Sequence, residues 1–241
     1  MKTIIMIPTY NEKENIERLI KDLFSLEVGQ DGNLEVVIVD DDSPDGTGTV
    51  CDQLSQEFKG RVHVIHRKQK RGRGSAGIEG LKFCLSRDVD FIMEMDADFS
   101  HDPKYIPVFI SLVNYFDVVI GSRYVEGGAQ LGREWHREIT SLMANLIYRL
   151  ILGMRIRDIS GGFKCYRKET LAMLNFDDFF SDGYSVGMEI LYRLYKKDCS
   201  FVEIPVIFSN RQYGASKFNV KAAINAIRVA LALTRRVGAR R

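Results

Sequence analysis

Short apolar runs recur along the first half of the chain. "TIIMIP" (3–8), "LEVVIVD" (34–40), "RVHVIH" (61–66), "DFIMEM" (90–95) and "FDVVIG" (116–121) are rich in residues that favour strands. Between most of them lie segments with apolar positions three and four apart, at about 12–26, 47–59, 75–87 and 103–114. That spacing predicts helices. Alternation of nearly all-apolar strands with helices predicts a mostly parallel α/β sheet covered on both faces, with right-handed crossovers. Ligands of such sheets bind at the carboxyl ends of the strands.

The second half is less regular. Residues 134–153 carry a broad apolar face of Ile139, Leu142, Met143, Leu146, Ile147, Leu150 and Ile151. Arg137, Ser141, Asn145 and Arg149, each four apart, form a polar stripe on the same predicted helix, which Gly153 is placed to end. "SGGFKCYRKET" (160–170) reads as a glycine-rich turn, a strand and a helix start, and "VGMEILYRLYKK" (186–197) as an amphipathic helix. "SFVEIPVIFSN" (200–210) is strand-like, and Pro205 points to a sheet edge. Beyond it, Val220, Ile224, Ile227 and Leu231 form an apolar stripe beside Lys221, Asn225 and Arg228. That pattern suits an interfacial helix and equally one docked on a membrane-spanning partner subunit.

Four strand ends carry the candidate chemistry: "PTYNE", "DDDSPDGTG", "DADFS" and "GSRY". In the third, Asp96 and Asp98 share one face of an extended chain while Ala97 turns inward. Paired carboxylates repel unless a cation lies between them. Mg²⁺ and Mn²⁺ take such oxygens and complete their shells with water and substrate phosphates. Ser100 continues the spacing and would supply an oxygen or hold a water. In the second, Asp45 or Thr47 would cap the next helix, and one or two of Asp40, Asp41 and Asp42 would face a ribose or base edge. His101 reads as a turn-surface histidine. The basic stretch "RKQKRGRGSAG" (67–77) lacks both GxxxxGK[ST] and GxGxxG, which argues against an NTPase and against nicotinamide-dinucleotide binding.

Composition narrows the setting. The 241 residues are 45% hydrophobic, as for a globular protein. Cys51, Cys84, Cys165 and Cys199 form no CxxC pair and read as reduced thiols. "MKTIIMIPTY" reads as a first strand, and no apolar run approaches the about 18 residues of a membrane span. Residues 204–241 hold eight Lys or Arg and no acid; against a whole-chain charge of +2, that leaves −6 on the rest. A basic tail on an acidic body points to an anionic partner such as a membrane surface. Nothing points to nucleic acid.

"IPTYNEKENI" (7–16), "VVIVDDDSPDGTG" (36–48), "MDADFSHDP" (95–103), "IGSRYVEGG" (120–128), "RDISGGFKCYRKE" (157–169) and "RQYGASK" (211–217) follow one another in a recognisable order. Together they resemble the polyprenyl-phosphate glycosyltransferases of family 2, in particular the dolichyl-phosphate mannose synthases. The resemblance implies a GT-A fold, Rossmann-like, over residues 1–218, followed by a basic amphipathic segment at 219–241. It implies that Pro8, Tyr10, Glu12, Val39 and Asp41 hold the guanosine of GDP-mannose. Asp96, Asp98 and Ser100 would form the Mg²⁺ or Mn²⁺ and diphosphate site. Arg123, Arg137, Ser141, Arg211 and Lys217 would surround the acceptor phosphate and donor diphosphate, with Asp98, Arg123, Arg137 and Arg211 as the catalytic set. Arg73 departs from the family, which has an apolar residue there.

The implied reaction is inverting transfer of mannose to dolichyl or another polyprenyl phosphate, by an enzyme peripheral to the cytoplasmic face of a membrane. The same reaction with UDP-glucose or another nucleotide sugar remains open. So does transfer to a sugar hydroxyl, which needs a base; Asp182 and Glu189 are its candidates, and Glu189 is otherwise expected to orient the acceptor-site arginines. The long helix 134–153 would turn its apolar face to lipid or pack it on the sheet, with Trp135 as an interfacial anchor or a core residue.

Overall fold

The structure is a computed structural model that describes residues 1–69, 72–132, 134–209 and 220–237, with the backbone alone at 220–224. In chain order the elements are β1 (Thr3–Thr9), α1 (Lys13–Ser25), α2 (Glu27–Gln30), β2 (Leu34–Asp40), α3 (Thr47–Glu57), β3 (Val62–His66), α4 (Arg73–Leu85), β4 (Phe91–Glu94) and α5 (Ile106–Leu112). They continue with β5 (Val118–Ser122), β6 (Ala129–Leu131), α6 (Trp135–Leu152), β7 (Lys164–Arg167), α7 (Lys168–Ala172), α8 (Ser185–Tyr195), β8 (Phe201–Pro205), β9 (Ile207–Ser209) and α9 (Val220–Arg236). Every strand expected from the apolar runs is present.

The main sheet has the order β3-β2-β1-β4-β7-β5-β8. All its pairings are parallel except those of β7, which runs antiparallel between β4 and β5. Alternate strand residues feed two cores. Ile4, Met6, Val37, Val39, Ile92, Ile120 and Tyr166 face one side with Ala76, Tyr148 and Leu191. Ile5, Ile7, Val36, Ile38, Met93 and Cys165 face the other with Ile16, Leu19, Cys51 and Phe109. Burial on both faces explains why the strands read as unbroken apolar runs. The chain adds β2 and β3 on one side of β1 and β4 on the other, so the order reverses beside β1, where such sheets form their ligand crevice.

β8 is an edge strand, as Pro205 suggested. The strand-like segment 200–210 breaks at Val206, after which β9 leaves the sheet and pairs with β6. β6 has only three residues and no apolar alternation to announce it. Asp102 caps a short 3₁₀ turn at Pro103–Tyr105, and the predicted helix 103–114 is α5 beyond that turn.

Two helices pack differently from a simple amphipathic reading. The buried side of α6 is Ala144, Asn145, Tyr148 and Leu152. Its exposed side holds Trp135, Ile139, Leu142, Met143, Leu146 and Leu150, with Trp135 73% and Leu150 74% exposed. The apolar face therefore does not pack on the sheet, and Trp135 is not a core residue. α9 packs on α6 and α8 through the fully buried Ala230 and Leu233, while Leu231 of the expected stripe is exposed. Three of the cysteines are buried free thiols, and Cys199 is half-buried. Burial pushes the Cys51 thiol up to about 12 and raises those of Cys84 and Cys165 further.

Candidate active site

The residues expected to meet a nucleoside lie together. β1 and β2 are parallel and in register, with Pro8 opposite Val39 and Thr9 opposite Asp40. The loops that follow are laced by backbone donors. The amides of Asn11, Glu12 and Lys13 donate to Ser43 Oγ (3.0 Å), Thr47 Oγ1 (3.0 Å) and Asp45 Oδ2 (3.3 Å). Asp45 also accepts from the Thr47 amide and hydroxyl, but the N-cap position of α3 is Gly46, so neither Asp45 nor Thr47 is the capping residue expected. Tyr10 and Glu12 are half-buried, and Asn15 holds the Glu12 carboxylate at 2.8 Å. The Val39 side chain is buried against α4 beside Gly80, and its carbonyl accepts from the Thr9 hydroxyl at 3.3 Å.

Asp41 is buried and receives the Arg67 guanidinium and the Gly72 amide (2.8 Å). Arg67 is itself buried and donates to Glu79 (3.0 Å) and Ser75 (2.6 Å). Part of the basic stretch 67–77 is thus a brace for Asp41.

After β4 the chain enters the paired-aspartate loop. Ala97 is buried in the core, as the alternation required. The Ser100 amide and hydroxyl both donate to Asp98 Oδ1, at 3.1 and 2.6 Å, across a left-handed Phe99 (φ +59°). A bulky residue in that region is strained. Asn11 (φ +60°) and Asp42 (φ +62°) adopt the same conformation after β1 and β2. Of these three residues at adjacent strand ends only Phe99 is strained, since Asn and Asp adopt positive φ readily, and its strain marks a loop held in shape by its surroundings.

His101 is buried, not on a turn surface. Its Nδ1 accepts from the Asp96 amide at 3.0 Å, and its ring stacks on Phe163 with centroids 4.9 Å apart. Burial holds the imidazole below its usual range against the opposing pull of Asp96 and Asp98. It is therefore neutral, with its proton on Nε2.

Arg73 opens α4 and reaches the paired-aspartate loop. Its Nε and Nη2 both donate to Asp96 Oδ1, at 3.1 and 2.5 Å. Burial works against its charge, but Asp96 outweighs burial and keeps it a cation. Asp96 Oδ2, His101 and Arg73 converge on Gly162, where any β-carbon would stand 2.7 Å from Arg73 Nη2.

Across β7, Arg123 follows β5. Its Nε and Nη2 grip both oxygens of the fully buried Asp158, at 2.7 and 2.6 Å, and Nη2 also donates to Ser160 (2.8 Å). Tyr124 donates to Ser141 of α6 at 2.8 Å. Asn145, one turn on, bonds Ser160 in both directions. The polar stripe of α6 therefore meets the Arg123 corner through Ser141 and Asn145. Arg137 is exposed in the first turn of α6 and pairs with Glu134 at 3.1 Å. Arg211 and Lys217 lie outside the described residues.

Glu189 is fully buried, accepts from the Ser181 amide and hydroxyl, and grips Arg193 at 2.6 and 2.8 Å. The expectation that it orients the acceptor-site arginines is corrected: Arg193 is on its own helix one turn away. Asp182 accepts from Asn225 of α9. Asp158, Ser160 and Gly162 are the site residues that strand-end reasoning passed over, and His101 is one that it placed on the surface. The glycine pair in "DISGGF" was the sequence signal for the first three.

Among the described residues no three His, Cys, Asp or Glu side chains gather as a metal cluster. Two carboxylates with a hydroxyl beside them nonetheless fit a hard divalent ion, which draws its remaining ligands from water and phosphate.

The chain matches the Glycosyl transferase family 2 model over residues 4–174. It is 36% identical over 219 residues to the polyprenol monophosphomannose synthase of Mycolicibacterium smegmatis, covering 90% of this chain and 81% of that protein. It is 36% identical over 236 residues to the undecaprenyl-phosphate mannosyltransferase of Micrococcus luteus, covering 96% of this chain and 95% of that protein. Among solved structures, the glucosyl-3-phosphoglycerate synthase of Mycobacterium tuberculosis with Mn²⁺, uridine diphosphate and glucosyl-3-phosphoglycerate has a TM-score of 0.67 at 19% identity, covering 97% of this chain and 79% of that one. At that identity the likeness is one of fold.

Proposed function

The chain belongs to glycosyl transferase family 2 and has a GT-A fold, and from that premise we propose that it transfers mannose from GDP-mannose to a polyprenyl phosphate, such as dolichyl phosphate, at a membrane surface. The observation that carries the lipid acceptor is the outward apolar face of α6. The same helix offers Leu142, Met143, Leu146 and Leu150 to its surroundings and Ser141 and Asn145 to the Arg123 corner. An acceptor with an apolar tail and a phosphate head matches those two faces. Among the described residues no helix is long and apolar enough to cross a membrane, and in this reading the exposed face of α6 lies against one leaflet, on the cytoplasmic side. The 36% identity to two enzymes named for polyprenol and undecaprenyl phosphate supports the same acceptor class.

A phosphate monoester has a second pKa of about 6, so near pH 7 its oxygen is already a nucleophile. In the proposed step that oxygen bonds to the anomeric carbon as the bond to the GDP oxygen breaks, with inversion and no proton to remove. The residues fit a reaction without a base. Glu189 is sealed by Ser181 and Arg193, and the one lone pair of the neutral His101 ring, on Nδ1, is taken by the Asp96 amide. Arg123, fixed by Asp158, holds the incoming phosphate with Ser141, Arg137 and Arg211. Asp41 and the β1 and β2 loops hold the nucleoside. Asp96 and Asp98 would hold Mg²⁺ or Mn²⁺ for the diphosphate, a group to which the resemblance also assigns Lys217. When bound, the ion offsets the charge that develops on the leaving GDP.

Purified protein would be given labelled GDP-mannose, a divalent ion and polyprenyl phosphate in detergent. The expected result is EDTA-sensitive label in the organic phase, and its loss by more than about 100-fold in Asp98→Asn. Label from UDP-glucose alone overturns the donor. Label from neither overturns the lipid acceptor.

A further inference from the structure

The guanidinium of Arg73 sits on Oδ1 of Asp96, one of the two oxygens this carboxylate has for a metal ion. Two of its donors fork onto the single atom Oδ1, and its position is built rather than incidental. Gly162 leaves the space in which Nη2 sits, since a β-carbon there would stand 2.7 Å from it. Gly74 lets α4 approach the 183 loop, where a β-carbon would stand 2.5 Å from the Gly183 amide nitrogen. That close approach brings the Tyr184 ring to 5.9 Å from the guanidinium carbon. Helix α4, the glycine loop before β7 and the loop before α8 thus converge on one arginine.

We propose that Arg73 is a tethered counter-ion of the paired-aspartate loop that makes metal binding depend on the donor. Without a nucleotide, a divalent ion must displace a cation already seated on Asp96, or share that carboxylate with it. A nucleoside diphosphate brings negative charge that both cations can use, so metal and nucleotide bind together better than either binds alone. Such coupling is reciprocal: the metal must strengthen nucleotide binding by the same factor. The inference rests on Asp96 and Asp98 as the metal site.

The test is Mn²⁺ binding followed by the paramagnetic resonance of free Mn²⁺, with and without GDP, on the full chain. Wild type is expected to bind weakly alone and at least about tenfold more tightly with GDP, the scale of an opposite charge placed beside a carboxylate. Arg73→Met is expected to bind Mn²⁺ alone about tenfold more tightly than wild type, with a smaller gain from GDP. Arg73→Lys, which keeps the charge, is expected to behave like wild type. Should Arg73→Met fail to fold, Arg73→Gln takes its place as the neutral variant. Equal or weaker Mn²⁺ binding by the neutral variant overturns the counter-ion role while leaving the metal site standing. Absence of Mn²⁺ binding by every form, with GDP present, overturns the metal reading and this inference with it.

Discussion

At the scale of single residues, much of the site is a set of side chains that hold one another. Asp41 is braced by Arg67, Asp98 by Ser100, Arg123 by Asp158, and the Asp96 amide by His101. Replacing His101 by Phe keeps a flat ring against Phe163 but leaves the Asp96 N–H without its acceptor. A buried donor left unsatisfied costs about 1–3 kcal/mol. The expected outcome is a roughly tenfold fall in kcat/KM with a lower Tm, checked by transfer assays and thermal unfolding. The strand-end acids were legible because two carboxylates, spaced i and i+2, follow an apolar buried strand. Their partners were not. Arg73, Asp158 and Gly162 lie far away in sequence, and only the insertion of β7 brings the "SGG" turn to the end of β4. His101 was misread because a histidine in a polar turn carries no sign of the Phe163 ring that covers it.

At the scale of elements, strand positions were readable and the orientation of helices was not. Apolar runs buried on both faces announce strands whatever their neighbours. A helix with an apolar face announces only that something covers it. In α6 that face is turned away from the chain's own core. Substituting Leu142, Leu146 and Leu150 together by Gln should leave the unfolding free energy within about 1 kcal/mol of wild type and Tm little changed, since exposed positions contribute little to folding. Sedimentation with anionic vesicles should fall severalfold. A drop in Tm with unchanged sedimentation would reject the lipid-facing role. The junction of β5 and β8 gives a pH test. Asp117 accepts from the Ser200 amide and hydroxyl, both at 2.7 Å. Burial opposes its ionisation, but those bonds and Arg167 outweigh burial and hold its carboxyl below the usual range. Its contribution is therefore present above about pH 4 and is lost as pH falls through the folded-state value. Asp117→Asn should lower stability by about 1 kcal/mol at pH 7. The gap to wild type should close in acid, as denaturant titrations from pH 7 to pH 3 would reveal.

At the scale of the molecule, α9 is tied into the fold. Leu233 is fully buried in the same core as Tyr148 of α6 and Leu191 of α8. Leu233→Ala should cost about 2–5 kcal/mol in a single cooperative transition. A separate low-temperature transition would instead mark α9 as an appendage.

The place of β7 also sets an order in time. Synthesis delivers β4 with its outer edge bare, because Phe91 pairs with Arg167 and the strand between emerges only after α6. At ribosomal rates that gap lasts on the order of ten seconds. During it "FIME" is an apolar edge open to wrong partners, the condition under which nascent chains aggregate or recruit chaperones. β5 waits as well, since its two neighbours in the sheet, β7 and β8, are both made later. The loop that carries the aspartates and the loop that carries Gly162 meet only when the chain comes back between β4 and β5. A prematurely terminated chain would therefore be a hazard to its cell but never an unregulated transferase.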